Sequence, residues 1–116
     1  MKNTPYNRGA VYYVDLGEAD GTSVQAGVRP CILVSSNIYN MHSSTVNIVS
    51  LTTAKKSQLP VHIAITAKES GLHRDSICLC EQQRTVPKTA LKQYVTTLSD
   101  DLMERVSDGL RIQLSL

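Results

Sequence analysis

GTSVQAGVRPCILV, residues 21–34, passes from a polar loop into an apolar run. Glycines 21 and 27 admit positive φ and let this loop close tightly under a bulky ligand. Pro30 fixes its own φ and biases Arg29 away from the helical region, and the run that follows reads as a buried strand over residues 31–35. Arg29 is therefore expected at a stiffened loop-to-strand junction. Its guanidinium is permanently charged and offers a planar fork of donors matched to phosphate oxygens. An ordinary surface arginine beside a turn is the plain alternative.

Outward from this stretch the chain reads as strands. Residues 10–16, AVYYVDL, lie between Gly9 and Gly17 and are dense in β-branched and aromatic side chains. Residues 45–52 form a third strand with Thr52 at its end, next to Thr53. In residues 61–66, Val61, Ile63 and Ile65 alternate with His62, Ala64 and Thr66, which predicts His62 on the less buried face. Pro60 opens that strand where no ladder N–H is needed. Residues 76–84, SICLCEQQR, begin apolar and end polar at Glu81, Gln82 and Arg84, and residues 94–98 make a short last strand. Residues 36–43 show no convincing apolar period, and residues 53–59 read as a flexible basic loop. After Ser99 the period changes. Leu102, Val106, Leu110 and Leu114 recur at helical spacing behind an N-cap serine and two aspartates. Gly109 within that helix costs roughly 1 kcal/mol relative to alanine.

The 116 residues, 41% of them hydrophobic, fit one domain, residues 1–116. A net charge of +2 falls short of the basic stripe of non-specific nucleic-acid binders, so contact with a polyanion would be local. Of three cysteines, Cys78 and Cys80 share a strand face and read as buried thiols in a reducing compartment. Together with His73 they do not reach the four ligands of a structural zinc site, and no metal or other cofactor is expected. No apolar run is long enough to span a bilayer and the first residues lack a signal-peptide core, so a cytoplasmic protein without a membrane partner is expected. Neither G-x-S-x-G nor a GxxxxGK phosphate loop is present. With no Phe or Trp and five scattered Tyr, the aromatic cluster of a peptide-binding module is missing too. What remains is a polar set on loops and strand ends: Thr22, Ser23, Gln25, Arg29, Thr52, His62, Glu81 and Gln82.

In order, RGAVYYVDL (8–16), GVRPCILV (27–34), LTT (51–53), LPVHI (59–63), DSICLCEQQRTV (75–86) and LSDDLMERVSDGL (98–110) resemble the MazF/PemK ribonuclease toxins of toxin–antitoxin systems. The resemblance runs from residue 8 to residue 114. It implies a mainly β, α+β fold: a small SH3-like β-barrel of the CcdB/PemK-like kind with a C-terminal helix. It further implies a homodimer that cuts single-stranded RNA at specific sequences without a metal and is neutralised by a cognate antitoxin. The family's catalytic arginine falls on Arg29 and its catalytic threonine on Thr52. RNA contacts fall on Pro60, His62, Glu81 and Gln82, and in the loop on Thr22 or Ser23 together with Gln25. Relatives often read GSEQxG where this chain reads GTSVQAG, a departure that bears on RNA sequence preference. A gyrase-poisoning toxin on the same fold is the alternative, but those relatives rely on an aromatic-tipped C-terminus and this chain ends QLSL.

RNA brings its own nucleophile, the 2′-hydroxyl, so such a protein needs to align it, move protons and stabilise charge on the phosphoryl oxygens. Arg29 is suited to the charge and Thr52 to orienting the phosphate, with a 2′,3′-cyclic phosphate and a 5′-hydroxyl as products. His62 and Glu81 are the candidates for accepting the 2′ proton. Neither Arg29 nor Thr52 is expected to fill the core.

Overall fold

The computed structural model describes residues 6–53 and 59–116, so the expected loop over residues 53–59 falls largely outside the described residues. The strands are β1 (Ala10–Asp15), β2 (Val28–Leu33), β3 (Thr45–Thr52), β4 (His62–Ile65), β5 (Ser76–Pro87) and β6 (Leu91–Thr97). The helices are α1 (Asn37–His42), α2 (Ala67–Ser70) and α3 (Asp100–Leu114), with a 3₁₀ turn at Lys88–Ala90. All six strands form one antiparallel sheet in the order β4-β5-β3-β2-β1-β6. The expected α+β fold with its C-terminal helix is present, but the sheet is not closed into a barrel. Its ends, β4 and β6, do not pair with each other, and α3 packs against β4 and β5. Where those ends approach, Thr96 Oγ1 donates to the carbonyl of Ser70 at 3.4 Å.

Both faces of the sheet are buried, because side chains alternate along each strand and each face finds its own apolar cover. On one face Val11, Ile32, Val49, Leu51, Cys78 and Cys80 meet Leu102, Met103 and Val106 of α3. Burying each of those helix side chains contributes about 1.5–3 kcal/mol. The helix starts as its sequence predicts: Ser99 Oγ accepts from the Leu102 N–H at 3.2 Å, with Asp100 and Asp101 in the first turn. On the opposite face Ala10, Tyr12, Val14, Cys31, Leu33, Val46, Ile48 and Val86 form a second cluster.

β5 serves both clusters by means of a register break. Ser50 pairs with Leu79 and Ile48 with Arg84, so Cys80, Glu81, Gln82 and Gln83 all stand opposite Val49 alone. Three surplus residues are an odd number, and an odd shift turns the even-numbered side chains to the other face. Cys78 and Cys80 accordingly point into the α3 cluster, whereas Val86 joins the second one.

Several boundaries differ from the sequence expectation. β2 begins at Val28, so Arg29 lies within a strand, paired with Val14 of β1. Pro30 is tolerated because the β2–β3 ladder starts only at Cys31. α1 lacks an apolar stripe because a polar anchor holds it. Ser36 caps it, and buried Asn40 donates to the carbonyls of Tyr6 and Ser35 at 2.8 and 3.0 Å. β5 and β6 are longer than expected, Pro87 ending the one and a 3₁₀ turn leading into the other. Between β4 and β5 the chain forms α2, which opens with a capping box between Thr66 and Glu69.

Gly109 sits inside α3 for want of space: a Cβ there would come within 2.6 Å of Cys80 Sγ and 3.0 Å of Ile63 Cγ1. Gly109→Ala is therefore expected to destabilise the protein by about 1–3 kcal/mol in urea unfolding, overpacking outweighing the gain in helix propensity. All three cysteines are free and buried, and burial pushes the Cys31 thiol up to about 12. Cys31 should thus stay unreactive to a thiol reagent at pH 8 in the native protein and react only on unfolding, as mass spectrometry of the labelled peptides would show.

Candidate active site and RNA-facing surface

Arg29 and Thr52 come from neighbouring strands. The β2–β3 register pairs Cys31 with Ser50, and carried two residues further it sets Arg29 across from Thr52. Alternation then puts both on the face of Cys31 and Ser50, away from α3. The Arg29 side chain is exposed and its Nε donates to the carbonyl of Ala26 at 3.0 Å, which fixes one edge of the guanidinium and leaves the other facing solvent. Thr52 is buried at 9% exposure, which corrects the expectation that it lies clear of the core: β5 covers it through its pairing with Ile77. Thr53 faces the other way. It lines a small apolar cleft on the α3 face with Tyr13, Pro30, Leu51 and Leu72, and this cleft does not include Arg29 or Thr52.

His62 is buried rather than on the open face, its side chain only 4% exposed, because the register break swings Glu81 over its ring. Nε2 lies 3.0 Å from Glu81 Oε2, and Nδ1 accepts from the Leu59 N–H at 3.3 Å. That acceptance leaves the hydrogen of the neutral ring on Nε2, where it is donated to the carboxylate. Glu81 Oε1 is buried and has no partner among the described residues, an acceptor held ready for a donor. Pro60 is exposed in the turn that carries the chain from Leu59 into His62, two residues before β4 rather than at its start.

The loop over residues 17–27 closes on itself at its neck: Leu16 N–H donates to Gly27 O at 2.9 Å and Gly27 N–H to Gly17 O at 2.7 Å, with Gly27 at φ +75°. Thr22 is committed within the loop. Its hydroxyl donates to Asp20 Oδ1 at 2.5 Å and accepts from the Val24 N–H, and the first of these holds the Asp20 carboxyl below its usual range. Ser23 is exposed at the tip. The loop's outer part is fastened to β5: Gln82 Nε2 donates to Ser23 O and Gln82 Oε1 accepts from the Gln25 N–H, both at 3.1 Å. Arg84 adds donations to Gln25 O at 3.3 Å and Leu16 O at 3.4 Å. The sequence singled out Gln82 as a reader of bases, yet both ends of its amide are occupied by the loop. Arg84 stood out in the sequence only as part of the polar end of its strand and was given no role, since nothing in EQQR marks which side chain meets a loop some sixty positions earlier.

Arg29 and Thr52 thus share one face of the sheet, Gln82 and Arg84 tie the loop over residues 17–27 to β5, and His62 of β4 meets Glu81 within the break in β5. Residues 7–114 match the family of PemK-like, MazF-like toxins of type II toxin–antitoxin systems. A Bacillus subtilis (strain 168) protein named Endoribonuclease EndoA is 41% identical over 110 residues, covering 94% of each chain. Among solved structures, a mycobacterial endoribonuclease in complex with its cognate antitoxin is similar with a TM-score of 0.79 and 27% identity over 95% of each chain. MazF from Deinococcus radiodurans shares the fold at a TM-score of 0.79 and 17% identity, over 95% of this chain and 96% of its own. With a family match over nearly the whole chain and a relative at this identity, the chain belongs to the PemK-like, MazF-like toxins of type II toxin–antitoxin systems.

Proposed function

We propose that this chain is an endoribonuclease toxin that cuts single-stranded RNA at specific sequences by attack of the 2′-hydroxyl on the adjacent phosphate, with no metal taking part. The observation that carries this reading is the register that sets an exposed arginine across from a strand-end threonine on one face of the sheet. Arg29 neutralises charge building on the phosphoryl oxygens and donates toward the leaving 5′ oxygen, while Thr52 hydrogen-bonds the phosphate and fixes its orientation. The 2′ oxygen gives up its proton to water as its bond to phosphorus forms; the bond from phosphorus to the 5′ oxygen breaks, and that oxygen takes a proton from water and leaves as a hydroxyl, giving a 2′,3′-cyclic phosphate.

Ser23 and Gln25 of the loop, Pro60, and the His62–Glu81 pair make up the surface that meets bases. Reading is by hydrogen bonding to base edges rather than by stacking, since aromatic side chains are scarce. Thr22 and Gln82 serve that surface by shaping the loop. The whole chain acts as one domain in the cytoplasm, as a symmetric homodimer whose two-fold groove holds several nucleotides. Its antitoxin is an acidic, partly disordered segment that folds across the same groove and excludes RNA, in keeping with the antitoxin-bound mycobacterial structure.

Pure protein incubated with a long single-stranded RNA in EDTA is expected to cut at a restricted set of sites. Arg29→Ala should lower the cleavage rate by on the order of 10²–10³-fold. Arg29 is exposed, so its unfolding midpoint should barely change. An RNA with a single 2′-deoxy sugar before the scissile phosphate should bind and resist cleavage; cutting of that substrate at the normal rate, or full activity of Arg29→Ala, would overturn the mechanism. Glu81→Gln replaces an acceptor-only carboxylate by an amide that also donates, and sequencing of cleavage ends should show a changed base preference rather than a lost activity.

A further inference from the structure

The structure assigns Arg84 and Gln82 as positioning residues for the Arg29 guanidinium, acting through the backbone of the loop over residues 23–26; this rests on the catalytic role given to Arg29 above. The path is continuous. Arg29 Nε is held by the carbonyl of Ala26 at 3.0 Å. Ala26 follows Gln25, whose N–H is bound by Gln82 Oε1 and whose carbonyl is bound by Arg84 Nη1, so both backbone groups of that residue are tied to β5. Two further ties, from Gln82 to Ser23 O and from Arg84 Nη2 to Leu16 O, brace the loop on either side. One guanidinium thereby spans the entry of the loop and its outer turn.

Two features make this an orienting device rather than general packing. The loop has little else to hold its outer part: Val24 is 49% exposed, and no side chain of residues 21–24 belongs to either apolar cluster. The neck bond from Gly27 N–H to Gly17 O already holds the far side of the Ala26–Gly27 peptide, and the four ties to β5 hold the chain leading into Ala26, so that losing them loosens the approach of its carbonyl to Arg29. The register break, meanwhile, turns Arg84 onto the catalytic face. Arg84 pairs with Ile48 of the second cluster, the cluster that also holds Cys31. Arg84 is spent on the neutral carbonyls of Gln25 and Leu16, leaving Arg29 as the group that meets the phosphate.

The test uses the full chain and an RNA oligonucleotide with one cleavable site, with Arg84→Ala, Arg84→Lys and Gln82→Ala as variants and circular dichroism to show that each is folded. Arg84→Ala should lower the single-turnover rate by about 10²-fold, the scale expected when a reacting group is displaced by an ångström or so. Affinity for the 2′-deoxy analogue should change little, and Arg84→Lys should recover part of the rate. Because the effect passes through Arg29, adding Arg84→Ala to Arg29→Ala should cost almost nothing further. Equal penalties in both backgrounds would overturn the proposal, since Arg84 would then act on its own. An arm that does not depend on cleavage measures solvent exchange of the Arg29 Nε–H by ¹⁵N NMR: exchange should quicken about tenfold or more in Arg84→Ala and in Gln82→Ala as the loop opens. Unchanged exchange would sink the relay even if cleavage fell, whereas quickened exchange in a protein that cuts no RNA would uphold the relay and remove the catalytic reading instead.

Discussion

The odd register break between β3 and β5 is the constraint on which the molecule depends. Four residues of β5 opposite a single valine let one strand supply Cys78 and Cys80 to the α3 cluster and Val86 to the opposite cluster. A sheet buried on both faces needs that exchange, because a strand in fixed register can commit its even-numbered side chains to one face only. The residues displaced at the break, Glu81 and Gln82, then have no place in a ladder of alternating contacts. They reach sideways, Glu81 to His62 of β4 and Gln82 to the loop before β2. Site and core are thus two consequences of one irregularity.

Burial and reactivity divide accordingly. The side chains beneath the site are neutral and packed: Cys31 and Ser50 lie at zero exposure, with the thiol kept protonated by desolvation. The charged groups lie elsewhere, Arg29 near the start of β2 and Glu81 in the break of β5. Arg29 keeps one guanidinium edge for a ligand while the other is anchored to Ala26 O, and the His62–Glu81 pair holds a defined tautomer with one carboxylate oxygen unspent. Such an arrangement fixes donors and acceptors before substrate arrives, which is what lets an electrostatic site act without reorganising. Gly109 expresses the same economy on the far side, where α3 comes so close to β5 that no Cβ fits.

Much of this was legible in the chain itself. Apolar and alternating runs marked all six strands, because side-chain period is a local property of the backbone. Ser99 and its aspartates marked the start of α3 for the same reason, since a cap bonds within one turn. Arg29 beside Pro30 and Thr52 at a strand end stood out by residue type, and their chemistry needed no coordinates. What misled was equally physical. α1 has no apolar stripe because Asn40 anchors it through polar bonds to segments distant in sequence, and His62 looked exposed because period 2 knows nothing of a neighbour's bulge.

The sequence by itself determined the strand pattern, the terminal helix and the identities of the residues able to meet a phosphate, since each follows from short-range sterics or from a side chain's own chemistry. Only the tertiary structure decided that the sheet stays open, that Arg29 faces Thr52, that His62 is buried against Glu81, and that Gln82 and Arg84 are spent on a loop nearly sixty residues away. Those are matters of register between strands far apart in the chain. Register is set by how two apolar clusters are filled at once, and no single segment contains that information.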